Sequence, residues 1–187
     1  MAEVLIDNVK AIYEVRGKNA VLLCAPYPLF GGSMYDIRLE RISKELTRKN
    51  FSVLRFDYSK PYRGGSGEVE DAKKCLAYLK SRHDFVGVAG YSFGSIVASN
   101  VAEYSNAACY ISPLPSIDLI EFADVRVPKL FVIAMKDQVV SQDVALEIYE
   151  RSSDPKEMVK LDTDHFYFGK FDVLAKTVAD FFLRQSQ

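Results

Sequence analysis

Ser92 lies at the centre of the pentapeptide Gly90-Tyr-Ser-Phe-Gly94, and its surroundings predict a reactive hydroxyl. A short apolar run, residues 86–89, precedes it with the length and composition of a buried strand, and apolar residues at helical spacing follow it. On such a strand-to-helix turn, the pattern G-x-S-x-G presents the serine hydroxyl as a nucleophile. The two glycines keep the closely spaced strand and helix from colliding. By itself, the pentapeptide also fits an ordinary tight turn with an incidental serine.

A serine hydroxyl needs a base to take its proton, and the chain contains two histidines. His83 precedes the predicted strand, so it would lie at the opposite edge of a sheet, where we expect a solvated loop residue. His165 follows the last predicted strand and would share the edge with Ser92, so we predict it to be the base. The alternative is a loop histidine that is hydrogen-bonded to Asp162 or Asp164.

The base in turn needs a carboxylate that orients the imidazole and stabilises its charged form. Asp137 is the predicted carboxylate because it follows the apolar run 130–134 at the same edge. A simple turn aspartate is the alternative interpretation. Asp118, Asp124 and Asp143 are less well placed.

An oxyanion that forms when a serine attacks a carbonyl group needs two convergent N–H donors. The backbone N–H of Phe93, one residue after the serine, is the first predicted donor. The second should come from the loop after residues 20–25, where Tyr27 is the preferred donor and Leu29 the alternative. The glycine pair 31–32 would let this loop fold tightly against the serine turn.

The elements that must position these residues alternate between strand and helix. Apolar runs predict strands, and apolar residues at helical spacing predict helices. The predicted strands are residues 9–15, 20–25, 51–57, 86–89, 107–112, 128–134 and 157–161. The predicted helices are residues 35–49, 69–79, 93–104, 141–150 and 174–182, with one short helix near 116–122.

This alternation predicts the fold class α/β, as a three-layer α/β/α sandwich with a mostly parallel, twisted sheet. The alternating run 9–15 favours an edge strand, whereas the continuous apolar run 20–25 favours a central strand that is buried on both faces. Ligands bind such sheets at the carboxyl ends of the strands. The connection 113–127 is too short for a large helical lid, so we expect an open, shallow site.

Length and composition describe an ordinary globular chain, for which we expect a single domain over residues 1–187. A net charge of −1 gives no electrostatic reason to expect nucleic acid or an anionic membrane as a partner. Because the first residues lack a basic segment followed by a long apolar one, we expect no signal peptide and a cytoplasmic protein. Scattered cysteines at 24, 75 and 109 favour buried thiols, and we expect no metal and no cofactor.

Taken together, these residues resemble those of small α/β-hydrolases of the dienelactone-hydrolase-like, serine esterase-like type, which have no lid. The order of serine, aspartate and histidine along the chain is the order of that superfamily. The resemblance covers nearly the whole chain and is carried by residues 26–34 (PYPLFGGSM), 54–58 (LRFDY), 65–72 (GSGEVEDA), 89–94 (AGYSFG), 136–140 (KDQVV) and 164–166 (DHF). Relatives usually carry H-P-H-P before the glycine pair, whereas Ala25 and Tyr27 occupy the histidine positions here.

The resemblance implies a hydrolase fold with Ser92, Asp137 and His165 as its catalytic residues. We expect a serine hydrolase that acts on small carboxylic esters through an acyl-enzyme, as a monomer or homodimer. By loop position, the predicted pocket walls are Tyr27, Phe30, Met34, Leu114 and Phe166. A thioesterase or a peptidase-like amidase would use the same residues. A non-catalytic member of the fold that binds a ligand or partner is favoured only by the altered loop at positions 25 and 27.

Overall fold

Strands and helices alternate along residues 2–187, which the computed structural model describes. The strands are β1 (Ala2–Ile6), β2 (Val9–Glu14), β3 (Asn19–Cys24), β4 (Phe51–Phe56), β5 (Phe85–Tyr91), β6 (Ala107–Ile111), β7 (Ser116–Ile117), β8 (Ile120–Glu121), β9 (Lys129–Ala134) and β10 (Lys156–Leu161). The α-helices are α1 (Ile37–Arg48), α2 (Ser66–Lys80), α3 (Phe93–Val101), α4 (Gln142–Arg151) and α5 (Phe171–Gln185).

Eight strands form one mostly parallel sheet in the order β1-β2-β4-β3-β5-β6-β9-β10. Only the pairs β1–β2 and β2–β4 are antiparallel. The remaining pairs are parallel, as the continuous apolar runs in β3 and β5 indicate for strands covered on both faces. Because β5 lies between β3 and β6, the residue that follows it emerges near the middle of the carboxyl edge.

Two glycines in β5 show that helices cover both faces of the sheet. A Cβ atom at Gly87 would lie 2.4 Å from the ring of Phe182 in α5, and one at Gly90 would lie 1.8 Å from the carbonyl oxygen of Gly94 in α3. Positions 87 and 90 point to opposite faces because side-chain direction alternates along a strand. The α5 helix therefore packs on one face and α3 on the other, which gives the predicted three-layer sandwich.

The prediction that residues 9–15 form an edge strand is wrong in its placement. The strand exists as β2, but β1 covers it and occupies the edge of the sheet. The sequence gives little sign of β1 because that strand is largely exposed and has no regular apolar alternation. The predicted central position of β3 is confirmed, with β4 on one side and β5 on the other.

The prediction of a short helix near residues 116–122 is also wrong. The segment forms a small antiparallel hairpin, in which β7 pairs with β8. Asp118 in its turn has a φ of 50°, and aspartate tolerates this left-handed conformation better than most residues do. Tertiary contact supports the hairpin further, since the Leu119 N–H donates to the carbonyl oxygen of Gly64 at 3.0 Å. We refer to residues 116–121 as the hairpin.

Helix starts and buried thiols agree with the sequence. Ser141, the first residue of the predicted helix 141–150, caps α4 by accepting a hydrogen bond from the Val144 N–H. The three cysteines at 24, 75 and 109 are free and buried in the core. Between residues 2 and 187, no helix is both long and apolar enough to cross a bilayer.

Candidate active site

Ser92 occupies a strained turn between β5 and α3. Its backbone angles are φ 54° and ψ −119°, a conformation that non-glycine residues adopt at a cost of about 1 to 3 kcal/mol. The turn is this tight because Gly90 directly contacts the α3 backbone, and Gly94 in turn contacts the end of β3. A Cβ at position 94 would lie 2.2 Å from the carbonyl oxygen of Cys24. Glycine is therefore required at both positions: at 90 because β5 approaches α3, and at 94 because α3 approaches the end of β3.

The structure brings Ser92, His165 and Asp137 together at the carboxyl edge of the sheet. The His165 Nε2 atom lies 3.2 Å from the Ser92 Oγ atom. On the other side of the ring, the His165 Nδ1 atom lies 2.7 Å from the Asp137 Oδ2 atom. If Nδ1 carries the proton that Asp137 accepts, the Nε2 lone pair is free to accept the serine proton. The three side chains therefore form a continuous hydrogen-bonded chain from the serine hydroxyl through the imidazole to the carboxylate.

The Asp137 carboxylate is held in its ionised form. Burial by itself would raise its pKa, but the hydrogen bond from His165 and those from the Val140 and Val139 N–H groups outweigh burial and hold the pKa below its usual value. Those N–H groups donate to Asp137 Oδ1 at 2.7 and 2.8 Å, which leaves Oδ2 for the histidine. A fixed negative charge next to the imidazole is the arrangement that stabilises an imidazolium.

The loop after β3 folds back on itself beside the serine turn. The Tyr27 carbonyl oxygen accepts hydrogen bonds from the N–H groups of Phe30 and Gly32, at 3.1 and 3.0 Å. Gly31 has a φ of 82°, and a Cβ at Gly32 would lie 2.2 Å from the Pro26 carbonyl oxygen. The glycine pair therefore makes the loop as tight as predicted.

Phe93, the other predicted donor, is the first residue of α3. The N–H groups of the first helical turn have no acceptor inside their own helix. The Phe93 N–H is therefore suited to a negative charge beside Ser92. The Tyr27 and Phe93 rings pack against each other, with centroids 5.1 Å apart, so the loop and the turn that carry the two predicted donors are in contact.

Sequence reasoning missed a cluster that joins the loop after β3 to the hairpin. Asp118 Oδ2 accepts hydrogen bonds from the Tyr27 hydroxyl at 2.8 Å and from the Tyr62 hydroxyl at 2.5 Å. The rings of Tyr27 and Tyr62 meet edge to face, with centroids 5.4 Å apart. From the sequence, Asp118 is a candidate only as a hydrogen-bond partner of the histidine, and in the structure Asp137 occupies that position. No sequence pattern places these three residues together, because they come from three separate loops.

The predicted pocket residues differ in how much surface they offer. Phe30 is 89% exposed and Phe166 is 44% exposed, so both present apolar surface at the carboxyl edge. Tyr27 and Leu114 are half-buried. Met34 is only 4% exposed, so it has almost no surface available to a ligand. Two cavities, of about 480 and 380 Å³, are lined by α2 and by α4, and neither includes Ser92 or His165.

His83 is not the solvated loop residue that we predicted. It is half-buried before β5, and its Nε2 atom lies 2.5 Å from the Tyr13 hydroxyl oxygen. Burial lowers the pKa of the His83 imidazole. The sequence hides this contact because Tyr13 lies in β2, seventy positions away. Among residues 2–187, no group of three or more His, Cys, Asp or Glu side chains is arranged to hold a metal ion.

A mostly parallel sheet with helices on both faces, and a serine on the sharp turn after its central strand, define an α/β-hydrolase without a large lid. The sequence model of the dienelactone hydrolase family matches residues 48–164, and the chain belongs to that family. The protein is therefore a hydrolase. No curated protein sequence gives a significant match.

Solved structures with the same fold span nearly the whole chain. An alpha-beta serine hydrolase homologue from Coxiella burnetii is 23% identical, with 92% of this chain and 90% of that chain covered at a TM-score of 0.81. A serine hydrolase without a lid from Xanthomonas campestris is 20% identical, with 94% and 88% covered at a TM-score of 0.85. An esterase from Pyrococcus furiosus is 19% identical, with 97% and 90% covered at a TM-score of 0.77.

Proposed function

We propose that this protein is a serine hydrolase that cleaves small carboxylic esters through an acyl-enzyme intermediate. One observation carries the proposal: the His165 imidazole lies between the other two groups, with its Nε2 atom 3.2 Å from Ser92 Oγ and its Nδ1 atom 2.7 Å from Asp137 Oδ2. A serine hydroxyl is a weak nucleophile until a base removes its proton, and this arrangement supplies both the base and the group that orients it.

In the first half of the proposed reaction, the Ser92 Oγ atom attacks the ester carbonyl carbon while His165 Nε2 takes the hydroxyl proton. The new C–O bond forms as the carbonyl π electrons move to its oxygen. The N–H groups of Phe93 and Tyr27 would donate to that oxyanion. The tetrahedral intermediate then collapses, the bond to the alcohol breaks, and His165 gives its proton to the leaving alkoxide. An acyl group remains on Ser92.

In the second half, a water molecule replaces the alcohol. His165 Nε2 takes one proton from the water as its oxygen attacks the acyl carbon. Collapse of the second intermediate breaks the C–Oγ bond and returns that proton to Ser92, which releases a carboxylic acid. Throughout, the ionised Asp137 accepts the Nδ1–H hydrogen bond and stabilises the transient imidazolium.

The surroundings of Ser92 favour small substrates. The segment between β6 and β9 contributes only the hairpin, so no helical lid is available to enclose a long acyl chain. Exposed Phe30 and Phe166 offer apolar contact without enclosure. We therefore expect p-nitrophenyl acetate and butyrate to be hydrolysed with a higher kcat/KM than the palmitate ester, and efficient hydrolysis of the palmitate ester at the expense of the short ones would contradict this.

The decisive experiment is covalent labelling with a fluorophosphonate, followed by mass spectrometry to locate the adduct. We expect one adduct at Ser92 that is absent from Ser92→Ala. An unlabelled but folded wild-type protein would reject the proposal in favour of a non-catalytic binding protein. Given labelling, matched acetyl esters, thioesters and amides assayed under the same conditions establish which acyl bond the enzyme cleaves fastest.

A further inference from the structure

Three consecutive residues of the loop that carries the histidine are each held by a separate contact. We call residues 162–170, between β10 and α5, the histidine loop. The His165 carbonyl oxygen accepts a hydrogen bond from the Tyr91 hydroxyl at 2.9 Å. The Phe166 carbonyl oxygen accepts one from Arg38 Nη1 at 3.3 Å. The fully buried Tyr167 hydroxyl donates to the Val132 carbonyl oxygen at 3.2 Å.

Tyr91 links the histidine loop to the nucleophile turn through one side chain. It immediately precedes Ser92 in β5, and it is only 2% exposed. Its ring lies beside the His165 imidazole, with centroids 5.3 Å apart at an interplanar angle of 40°, while its hydroxyl bonds to the His165 carbonyl. Any displacement of the histidine backbone must therefore break a buried hydrogen bond.

Arg38 holds the outer side of the same ring. Its guanidinium carbon lies 4.3 Å from the Tyr91 ring centroid. Asp36 accepts hydrogen bonds from two of its nitrogens, one of them from Nε at 2.8 Å, so the planar group is fixed in orientation and its charge is balanced. The remaining nitrogen, Nη1, is the one that reaches the Phe166 carbonyl. Because Asp36 neutralises its charge, Arg38 acts on the histidine loop through the position of its hydrogen-bond donor rather than through its charge.

We propose that Tyr91 and Arg38 are positioning residues for the general base, which together fix the backbone at His165 and Phe166 so that the imidazole Nε2 stays within reach of the Ser92 hydroxyl. The inference rests on the proposed function of Ser92 and His165. Proton transfer in both halves of the reaction requires the ring to keep its place, and misplacement by about 1 Å can cost about a hundredfold in rate. Neither residue touches the reacting atoms.

The first test compares Tyr91→Phe with Tyr110→Phe. Tyr91→Phe keeps the ring and removes only the hydroxyl. Tyr110 is a matched control because it is equally buried in the adjacent strand β6, and within the described chain its hydroxyl has no hydrogen-bond partner. We expect Tyr91→Phe to label with fluorophosphonate about tenfold more slowly than wild type, and to lower kcat for p-nitrophenyl acetate about tenfold with KM unchanged within about twofold. Tyr110→Phe should behave like wild type.

The second test compares Arg38→Lys with Arg41→Lys. Lysine keeps the charge but cannot bond Asp36 and Phe166 at once or lie flat on the ring. Arg41, one turn along α1, makes a surface ion pair with Asp172 at 3.2 Å and serves as the control. We expect a loss of about threefold to tenfold in the labelling rate for Arg38→Lys and none for Arg41→Lys. The double variant with Tyr91→Phe should lose less than the product of the single losses, because both hold one loop.

An NMR readout separates failure of this inference from failure of the proposed function. The chain has two histidines, so a His83→Gln variant identifies the imidazole signals of His165. We expect the low-field Nδ1 proton of His165 to be sharp in wild type and Tyr110→Phe, and broadened by exchange in Tyr91→Phe. If the wild-type protein is not labelled, the proposed function fails. The His165 Nδ1 proton signal then still shows whether Tyr91 holds the imidazole in place. An unchanged signal together with a wild-type labelling rate in Tyr91→Phe would overturn the inference.

Discussion

The two sides of the serine are held in place by different kinds of contact. On the histidine side, three of the supporting side chains are almost inaccessible: those of Tyr91, Tyr167 and Asp137. On the opposite side, the loop after β3 is joined to the hairpin through Asp118, which is exposed. Buried hydrogen bonds are costly to break, whereas exposed ones exchange readily with water. The position of His165 is therefore set mainly by buried contacts, whereas that of the loop after β3 is set by contacts at the surface.

This difference fits what each side has to do in the proposed reaction. The base must keep its geometry through two proton transfers, and a side chain that is fixed by buried partners can do so. On the other side, Asp118, Tyr27 and Tyr62 contact one another at the surface, and in the proposed reaction this cluster would border the substrate rather than take part in proton transfer. Substitutions on the histidine side should therefore change the reaction rate, and substitutions on the other side should change the preference among substrates.

The largest expected effect comes from breaking the histidine side at its carboxylate. Asp137→Asn keeps the shape but removes the charge and favours the wrong imidazole tautomer. We expect kcat to fall about a thousandfold to ten-thousandfold, measured with p-nitrophenyl acetate. Asp164→Asn is the matched control, because Asp164 is next to the histidine in sequence but bonds to the Phe168 N–H. A severe loss in Asp164→Asn with little loss in Asp137→Asn would reverse the assignment.

A smaller effect is expected on stability, where one tyrosine-to-phenylalanine substitution on each side compares the two sides directly. Tyr167→Phe removes a buried hydroxyl that lies 3.0 Å from the Ser112 hydroxyl and donates to the Val132 carbonyl. We expect it to lower the free energy of unfolding by about 1 to 3 kcal/mol in urea titrations. Tyr62→Phe removes a hydroxyl at the surface, and we expect a change below about 0.5 kcal/mol. Equal losses in the two variants would show that the sides do not differ in this way.

From the sequence one can predict which residues meet on the histidine side, but not the contacts on the other side, and the reason is physical. Ser92, Asp137 and His165 each follow a strand, and parallel strands bring their carboxyl ends to one edge whatever the loops do. The Tyr27–Tyr62–Asp118 cluster depends on loop conformations, which no periodicity encodes. The prediction of a helix near residues 116–122 is wrong because apolar residues in so short a stretch fit both the helical and the strand period. Contacts of Leu119 with Gly64 and of Ile120 with Gly65 favour the hairpin. Likewise, the Tyr91 hydroxyl contact joins residues 74 positions apart.

The smallest expected effect is a pH dependence at Asp118. The hydrogen bonds from the Tyr62 and Tyr27 hydroxyls lower the pKa of this carboxyl below its ordinary value. A carboxyl whose pKa is lower in the folded protein than in the unfolded chain stabilises the fold above the unfolded pKa, and this contribution is lost as the pH falls through the folded pKa. The Tyr27–Tyr62–Asp118 cluster should therefore be intact above the ordinary aspartate pKa of about 4, and should loosen as the pH falls through the lowered pKa of Asp118.

Carboxyl ¹³C NMR titration measures this directly. We expect Tyr62→Phe to raise the pKa of Asp118 toward its ordinary value, because the hydroxyl that stabilises the carboxylate is gone. Tyr58→Phe is the control: its hydroxyl donates to the Ala25 carbonyl at 2.9 Å and makes no contact with Asp118. An Asp118 pKa that is the same in wild type and Tyr62→Phe would mean that water solvates this carboxylate as well as the tyrosines do. The loop after β3 would then be held against Tyr62 by contacts between the aromatic rings rather than by the hydrogen bonds to Asp118.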